Sequence, residues 1–334
     1  MLLIFGFRPV LERTWGPANV WWYRHWHGIF LYHTLRRRLA DTGQCTVYAQ
    51  CPVSALAALR ARSGPHQRVV MAVHFRVSQA DEWADKGQIR RGGGAFRAIR
   101  RTEQDVLSRV DGLVFVSHWG RAAVSEWLPS VGRVPSRVMH NFVNVPPFEP
   151  AAAPEADLVC VGNLEAVKNH RFVLRVVAAA ARAGHTYTVD IFGEGREGPR
   201  LLAMAEELGV RSQVRLRGFC SDVQQRLPRY RACVHASYSE SLPLAVIEAM
   251  AAGLPVICST AGGLPELLDD PTEGRFWPLD DVEAAAEIVI DLLENPQEMQ
   301  RCGRAAWERC RRDYDAQVIA PSLLSFLLGS RAER

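Results

Sequence analysis

Lysine is nearly missing from this chain: the 40 Lys and Arg residues among 334 include only Lys86 and Lys168. A net charge of +4 is small for that length. It is carried by arginines that do not gather into one basic stripe, so no nucleic-acid partner is expected. The densest run, Arg36-Arg37-Arg38, closes a helical pattern, where cations complement the negative end of the helix dipole. Paired cysteines are missing too. The eight cysteines contain no C-x-x-C spacing, and Cys160, Cys233 and Cys258 lie inside apolar runs, which reads as reduced, mostly buried thiols in a cytoplasmic protein. No window of about 18 apolar residues is present, which excludes a spanning helix. The start, Met1 to Phe7, is apolar but lacks the basic residues, length and cleavage site of a signal peptide. Low-complexity tracts and internal repeats are absent as well.

What is present is a globular composition, 48% apolar and 23% charged, at a length that exceeds one ordinary core. Short apolar runs alternate with stretches of helical period, the pattern of parallel sheets covered by helices. Strands are predicted at 2–5, 46–50, 68–75 and 112–117, with helices at 20–39, 53–62, 94–110 and 121–127. The run Val145-Pro146-Pro147-Phe148-Glu149-Pro150 cannot continue a helix or a central strand. It divides the chain into domains at 1–146 and 147–334, the last helix being a candidate to pack back on the first domain. A second series follows, with strands at 158–161, 186–192, 214–218, 233–236, 255–259 and 275–277. Its helices are predicted at 170–183, 199–208, 223–227, 243–252, 282–294 and 296–312. Two doubly wound domains in series imply a ligand site at the carboxyl ends of their strands.

The segment richest in chemistry reads Ser237-Tyr-Ser-Glu240-Ser241-Leu242-Pro243-Leu244-Ala-Val-Ile-Glu248, closing at Gly253-Leu254-Pro255. Pro243 suits a first helical turn, Ser241 is placed to cap the free donors, and Gly253 ends the helix. Glu240 then precedes a helix start and Glu248 lies two turns inside. The unpaired N–H groups and positive dipole of such a start suit a pyrophosphate. Glu248 is placed to accept from a ribose diol, and Glu240 from hydroxyls of a donor sugar. Two glutamates at this spacing also arise as ordinary surface acids, so the surrounding run carries the argument.

That run resembles the retaining glycosyltransferases of family 4, whose GT-B fold sets two Rossmann-like domains facing across a cleft. The likeness rests on Glu240, Glu248, Gly253-Leu254-Pro255-Val256-Ile257 and Gly262-Gly263-Leu264-Pro265-Glu266. Upstream, Gly162-Asn163 through Lys168-Asn169-His170 resembles the family's phosphate-binding turn, and Phe192-Gly193-Glu194-Gly195 and Gly218-Phe219 resemble its nucleobase-side loops. The resemblance implies transfer of a sugar from a nucleotide-sugar donor, UDP-linked first, with retention of configuration. It implies neither metal nor cofactor. The acceptor is a glycan, a lipid-linked or a small molecule. By the same resemblance Lys168 neutralises the leaving diphosphate, and Glu240 and His74 sit by the transferred sugar. Gly162, Asn163, Gly193, Gly195, Arg196, Gly218, Phe219, Ser241, Leu242, Pro243, Leu244 and Glu248 line the donor. Asn163 departs from the family's usual Arg and brings no charge, so either Arg196 or another nearby Arg compensates, or the donor is bound more weakly. In place of the Gly-Gly acceptor loop stand Trp15-Gly16-Pro17-Ala18-Asn19, which mark the acceptor side only through Trp15, Gly16 and Asn19.

Other readings compete. Gly193-x-Gly195-x-x-Gly198 formally matches a dinucleotide fingerprint but follows the second strand of its series and runs straight into Pro199. His25, His27 and His33 lie in an aromatic, basic stretch with no Cys or carboxylate at ligand spacing. Residues 20–38 fit ordinary packing or a peripheral membrane contact. A catalytically silent nucleotide-binding subunit and a GT-B sugar-nucleotide epimerase are the alternatives to transfer.

Overall fold

A computed structural model describes residues 15–148 and 154–329. The strand predicted at 2–5 lies outside them. The chain divides into unit 1, residues 1–140 with 321–334, and unit 2, residues 141–320.

Unit 1 runs α1 (Gly16–Ala40), β1 (Cys45–Ala49), α2 (Pro52–Ala61), β2 (Gln67–Val73), α3 (Gln79–Asp85), α4 (Gly94–Arg109), β3 (Gly112–Phe115), α5 (His118–Trp127) and β4 (Ser136–Val138). The four strands form a parallel sheet in the order β1-β2-β3-β4. Its core is the inward row of Val69, Met71 and Val73 packed with Leu107, Leu113 and Phe115. Burying each such side chain contributes about 1.5–3 kcal/mol. A smaller cluster, Val20, Ala80, Ile89 and Ile99, seats the start of α1. The short α3 has no apolar period to announce it. Ser78 caps it, accepting from Asp81 N at 3.1 Å, and Asp81 and Glu82 complement its positive end.

Unit 2 runs β5 (Ala156–Val161), α6 (His170–Arg182), β6 (Val189–Phe192), α7 (Gly198–Glu207), β7 (Val214–Gly218), α8 (Val223–Arg226) and β8 (Tyr230–His235). It continues through α9 (Leu244–Ala251), β9 (Val256–Cys258), β10 (Gly274–Phe276), α10 (Val282–Leu293), α11 (Pro296–Asp313) and α12 (Ala316–Leu328). All six strands are parallel, in the order β10-β9-β8-β5-β6-β7. Numbered within the unit this is the doubly wound order 3-2-1-4-5-6, whose switch point lies between β5 and β8. One continuous core holds Leu158, Phe172, Ile191, Leu201, Val234 and Trp277.

The proline-rich run is docked on unit 2. Val143 N donates to Tyr314 O at 3.0 Å, Trp307 Nε1 donates to Pro146 O at 2.9 Å, and the Phe148 and Trp307 rings meet edge to face. The division therefore falls at His140 and Asn141, before the prolines. Helix α12 carries Pro321 in its interior, and from that residue on the chain returns to unit 1. There Thr46 Oγ1 donates to Leu327 O at 2.8 Å. All eight cysteines are free. Among the described residues no helix is long and apolar enough to cross a membrane.

Candidate functional site

The site in unit 2 is assembled by loops that leave the carboxyl ends of β5 and β8, one on each side of the switch point. After β5 the chain turns through Gly162 and Asn163 into a single 3-10 turn, Ala166–Lys168, and Asn169 takes left-handed φ 53° to launch α6. The Lys168 stem lies over Gly162, where an added Cβ would stand 3.6 Å from Cδ. After β8 comes the Ser237–Pro243 loop. Tyr238 N donates to Val167 O at 2.9 Å and so fastens the second loop to the first.

Glu240 is the centre of this junction. It is 8% exposed, and its Oε1 accepts from Lys168 Nζ at 2.6 Å and from His235 Nε2 at 2.9 Å. Burial works against ionisation, but the His235 hydrogen bond and the Lys168 charge outweigh it and hold the carboxyl far below its usual range. Ser237 Oγ lies 3.1 Å from the same imidazole nitrogen. The backbone of Glu240 is fixed from the far side, since Gly263 N donates to its carbonyl at 3.1 Å. Gly262 sits at φ +63° so close that a Cβ would come within 1.9 Å of that oxygen, so only glycine fits. Glu240 is thus ionised and pre-positioned. His235, which supplies half of its support, escaped the sequence reading because a lone histidine at the end of an apolar strand reads as core.

One local expectation is corrected. Ser241 does not cap α9: Pro243 holds the N-cap position, no side chain caps the helix, and Ser241 Oγ is buried without a hydrogen-bond partner. The reason is steric order, since Leu242 and Pro243 intervene and Pro243, with no N–H and ψ 122°, places the first helical residue at Leu244. The first N–H groups of α9 are therefore free of side-chain acceptors, which leaves the dipole end open to an anion.

The remaining donor-side residues fall at the same sheet edge or behind it. Gly193, at φ +137°, presses on Gly162: a Cβ there would lie 2.1 Å from Gly162 O. Gly195 abuts Leu164 O in the same way, and Gly218 N-terminal to the exposed Phe219 closes β7, its carbonyl accepting from Gly193 N at 2.8 Å. The glycines thus hold strand ends together; they do not form a separate fingerprint. Asn163 and Arg196 both reach solvent, Leu242 is buried with its carbonyl accepting from Asn141 Nδ2 at 2.7 Å, and Leu244 is exposed. Glu248 accepts from Gln224 Nε2 at 2.7 Å and lines a cavity of about 380 Å³ with Phe148 and Trp307.

Beside this site His170 is 3% exposed, and both of its ring nitrogens lack partners. Burial, then His235 and Lys168, lower its pKa to about 4, so it is a neutral neighbour of the Lys168 charge.

In unit 1, His74 directly follows β2 with Nε2 2.8 Å from Gln50 Oε1, and partial desolvation lowers its pKa although the residue reaches solvent. Trp15 is exposed, and Gly16 packs so tightly on Gln88 that a Cβ would meet its carbonyl at 2.5 Å. Asn19 is fully buried and donates to Gln88 Oε1 at 3.3 Å, so its side chain serves the α1 seat. His25, His27 and His33 stack on or abut Trp21, Tyr23 and Tyr32 along α1.

Comparison with known proteins bears on family and fold. Residues 146–309 match the family "Glycosyl transferases group 1". A glycogen synthase of Mycobacterium tuberculosis is 30% identical over 253 residues, covering 72% of this chain and 60% of that protein. A D-inositol 3-phosphate glycosyltransferase of Streptomyces coelicolor is 31% identical over 189 residues, covering 52% and 41%. The chain thus spans at most about three fifths of the length of these two relatives. Among solved structures, an S. aureus TarM mutant crystallised with Fondaparinux, alpha-GlcNAc-glycerol and UDP superposes with TM-score 0.75 at 16% identity, covering 89% of this chain and 58% of that one. Anabaena HepE in complex with UDP superposes at 0.70 and 17%, covering 89% and 82%. The fold is the GT-B class, with two parallel α/β sheets, and residues 146–309 match the glycosyl transferases group 1 family.

Proposed function

We propose that this protein transfers a sugar from a nucleotide-sugar donor to an acceptor hydroxyl with retention of configuration, without a metal ion, and with a UDP-sugar as first choice of donor. The observation that carries the reading is the Lys168–Glu240 contact at the switch point of unit 2, next to a helix start that no side chain caps. Without a donor, Lys168 neutralises Glu240. A diphosphate at the α9 start draws the ammonium toward itself, in charge-assisted bonds that contribute about 1.5–3 kcal/mol each. His235 still holds the Glu240 carboxylate, which is then available to hydroxyls of the donor sugar.

In the reaction the bond from the anomeric carbon to the diphosphate oxygen breaks and a bond from the acceptor oxygen forms on the same face. The acceptor proton passes to the departing phosphate. Preorganised N–H groups and the Lys168 charge, aimed where negative charge develops, supply the main acceleration. The free, largely buried thiols are in keeping with a cytoplasmic setting. The acceptor, whether glycan, lipid-linked or small molecule, is met from unit 1.

A screen of UDP-, GDP- and TDP-sugars by thermal shift, followed by a nucleotide-release assay on the donor that binds, tests the reading. Lys168→Ala and Glu240→Ala are each expected to lower turnover at least about tenfold, about 1.4 kcal/mol in the barrier, with the chain still folded. Full activity in both variants overturns the assignment.

A further inference from the structure

Helix α1 is 25 residues long and buries only Asn19, Val20 and Leu39. One of its faces, with Trp21, His25, Ile29 and Tyr32, lines a groove of about 710 Å³ walled by α1, α2 and α4. That volume falls in the range of small-molecule sites, about 300–1,000 Å³. The groove follows α1 from Pro17 to Tyr32, roughly 22 Å at about 1.5 Å per residue, so it is long as well as deep. Its walls are apolar, with Val20, Ile29, Val53, Leu56 and Ile99 among them.

The charged residues on the groove are of one sign. Arg24 and Arg60 line it and, among the described residues, no carboxylate does. Arg36, hydrogen-bonded to Tyr32 Oη at 2.6 Å, adds a cation at the C-terminal end. Arg24 is half-buried and spends one N–H on Gln79 Oε1 at 2.6 Å. The carboxyl it feels most strongly, Glu103, is buried and has its own pKa pushed up to about 7, so it offsets the guanidinium charge only in part. A desolvated, incompletely compensated guanidinium in an apolar wall is a strong anchor for an anion, and its planar fork matches phosphate.

We propose that this groove binds the hydrocarbon chain of a phosphorylated single-chain lipid, with Arg24 taking the phosphate. An elongated apolar wall demands an elongated apolar ligand, and the cationic lining selects an anionic head. The exposed Trp21 at the groove suits the boundary between chain and water. The proposal stands on unit 1 alone and is read without any transfer assay, so it can fail while the proposed reaction holds.

The test is calorimetric titration of the full chain with farnesyl monophosphate below its critical micelle concentration, beside farnesol and inorganic phosphate. Saturable one-to-one binding is expected for the phosphorylated lipid, at least about tenfold weaker binding for farnesol, and none for phosphate alone. Ala98→Trp, at an exposed lining position, is expected to abolish binding without lowering the melting temperature, and Thr102→Trp provides a second block should the first misfold. Arg24→Gln is expected to erase the preference for phosphate over alcohol. The proposal is overturned if no saturable binding appears, if both tryptophan variants bind as the parent does, or if Arg24→Gln keeps the preference. Adsorption to phosphatidylglycerol vesicles that persists in both tryptophan variants, with no binding of farnesyl monophosphate, likewise overturns it and assigns the face to a membrane surface.

Discussion

Each unit buries a glutamate, and the two are treated in opposite ways. Glu240 in unit 2 receives an ammonium and an imidazole on one oxygen, and stays ionised against the cost of burial. Glu103 in unit 1 is 0% exposed and accepts Gln79 N at 2.6 Å on Oε1, while Oε2 has no partner. Burial therefore wins, ahead of the Gln79 bond and the Arg24 and Arg100 charges, and its pKa rises to about 7. A buried carboxylate keeps its charge only where close donors replace the lost water. Unit 2 places donors around such a charge at its sheet edge, whereas unit 1 tolerates a carboxyl whose pKa is pushed up to about 7. That placement marks where charged chemistry is located.

Breaking the first arrangement is expected to have the largest effect. His235→Phe removes one of the two donors and leaves the charge in place, so Glu240 should lose about 1.5–3 kcal/mol of charge-assisted hydrogen bonding. The sign follows from linkage. A depressed carboxyl pKa contributes stability that is present above the unfolded value, about 4.3, and is lost as pH falls through the folded value. The unfolded value is common to both proteins, so the deficit of the variant should be full at pH 7 and shrink only as pH falls through the variant's own folded value, which lies below the unfolded one. Urea denaturation from pH 7 down to the acid limit of the parent's folding measures it. A deficit that stays constant down to that limit would mean that phenylalanine only disturbs packing.

Repairing the second arrangement should act with the opposite sign. Folded Glu103 holds its proton up to about pH 7, while unfolded Glu103 loses it near 4.3. Wild-type stability is penalised as pH rises through that window, and fully so above it. Glu103→Gln, which keeps an acceptor for Gln79 N, is expected to be the more stable protein by about 1–2 kcal/mol at pH 8 and to lose that advantage near pH 4. Differential scanning calorimetry across pH 4–8 checks this. Parallel stability curves for the two proteins would show that Glu103 does not titrate in the window.

The same contrast explains what the sequence revealed. Lys168, Glu240 and the Gly262–Gly263 turn lie in local runs whose periods, caps and glycines are legible, and the six strands of unit 2 were located within a few residues. His235 was hidden because its role depends on a loop folding back over the strand end. In unit 1, β4 is three residues long and offers no alternation to read. Helix α12 was hidden by Pro321, which argues against a helix in any local reading. The α1–α2–α4 groove was hidden because it is a property of three separate segments, and only the uncovered aromatic stretch hinted at it. Ser241 was misassigned because capping rules describe frequencies, and a following Leu242-Pro243 shifts the start of the helix.

A third carboxylate sharpens the comparison, because the hydrogen bond that Glu248 accepts comes from an uncharged donor. It is partly exposed, and its one hydrogen bond comes from a neutral amide, Gln224 Nε2 at 2.7 Å. A hydrogen bond from a neutral amide to a carboxylate contributes about 1.5–3 kcal/mol and brings no counter-charge, so the role of Gln224 is to aim Glu248. If Glu248 accepts from the ribose diol, as its place two turns after Glu240 in the sequence suggests, Gln224→Leu should raise KM for the donor about two- to tenfold and leave kcat unchanged, since ribose contacts are equal in ground and transition states. A 2′-deoxyribose donor separates positioning from damage. Its KM should already be high, and Gln224→Leu should change it less than it changes KM for the parent donor, because part of the contact being aimed is gone. Equal KM increases for both donors would show that Gln224 supports the fold around the cavity and does not orient Glu248.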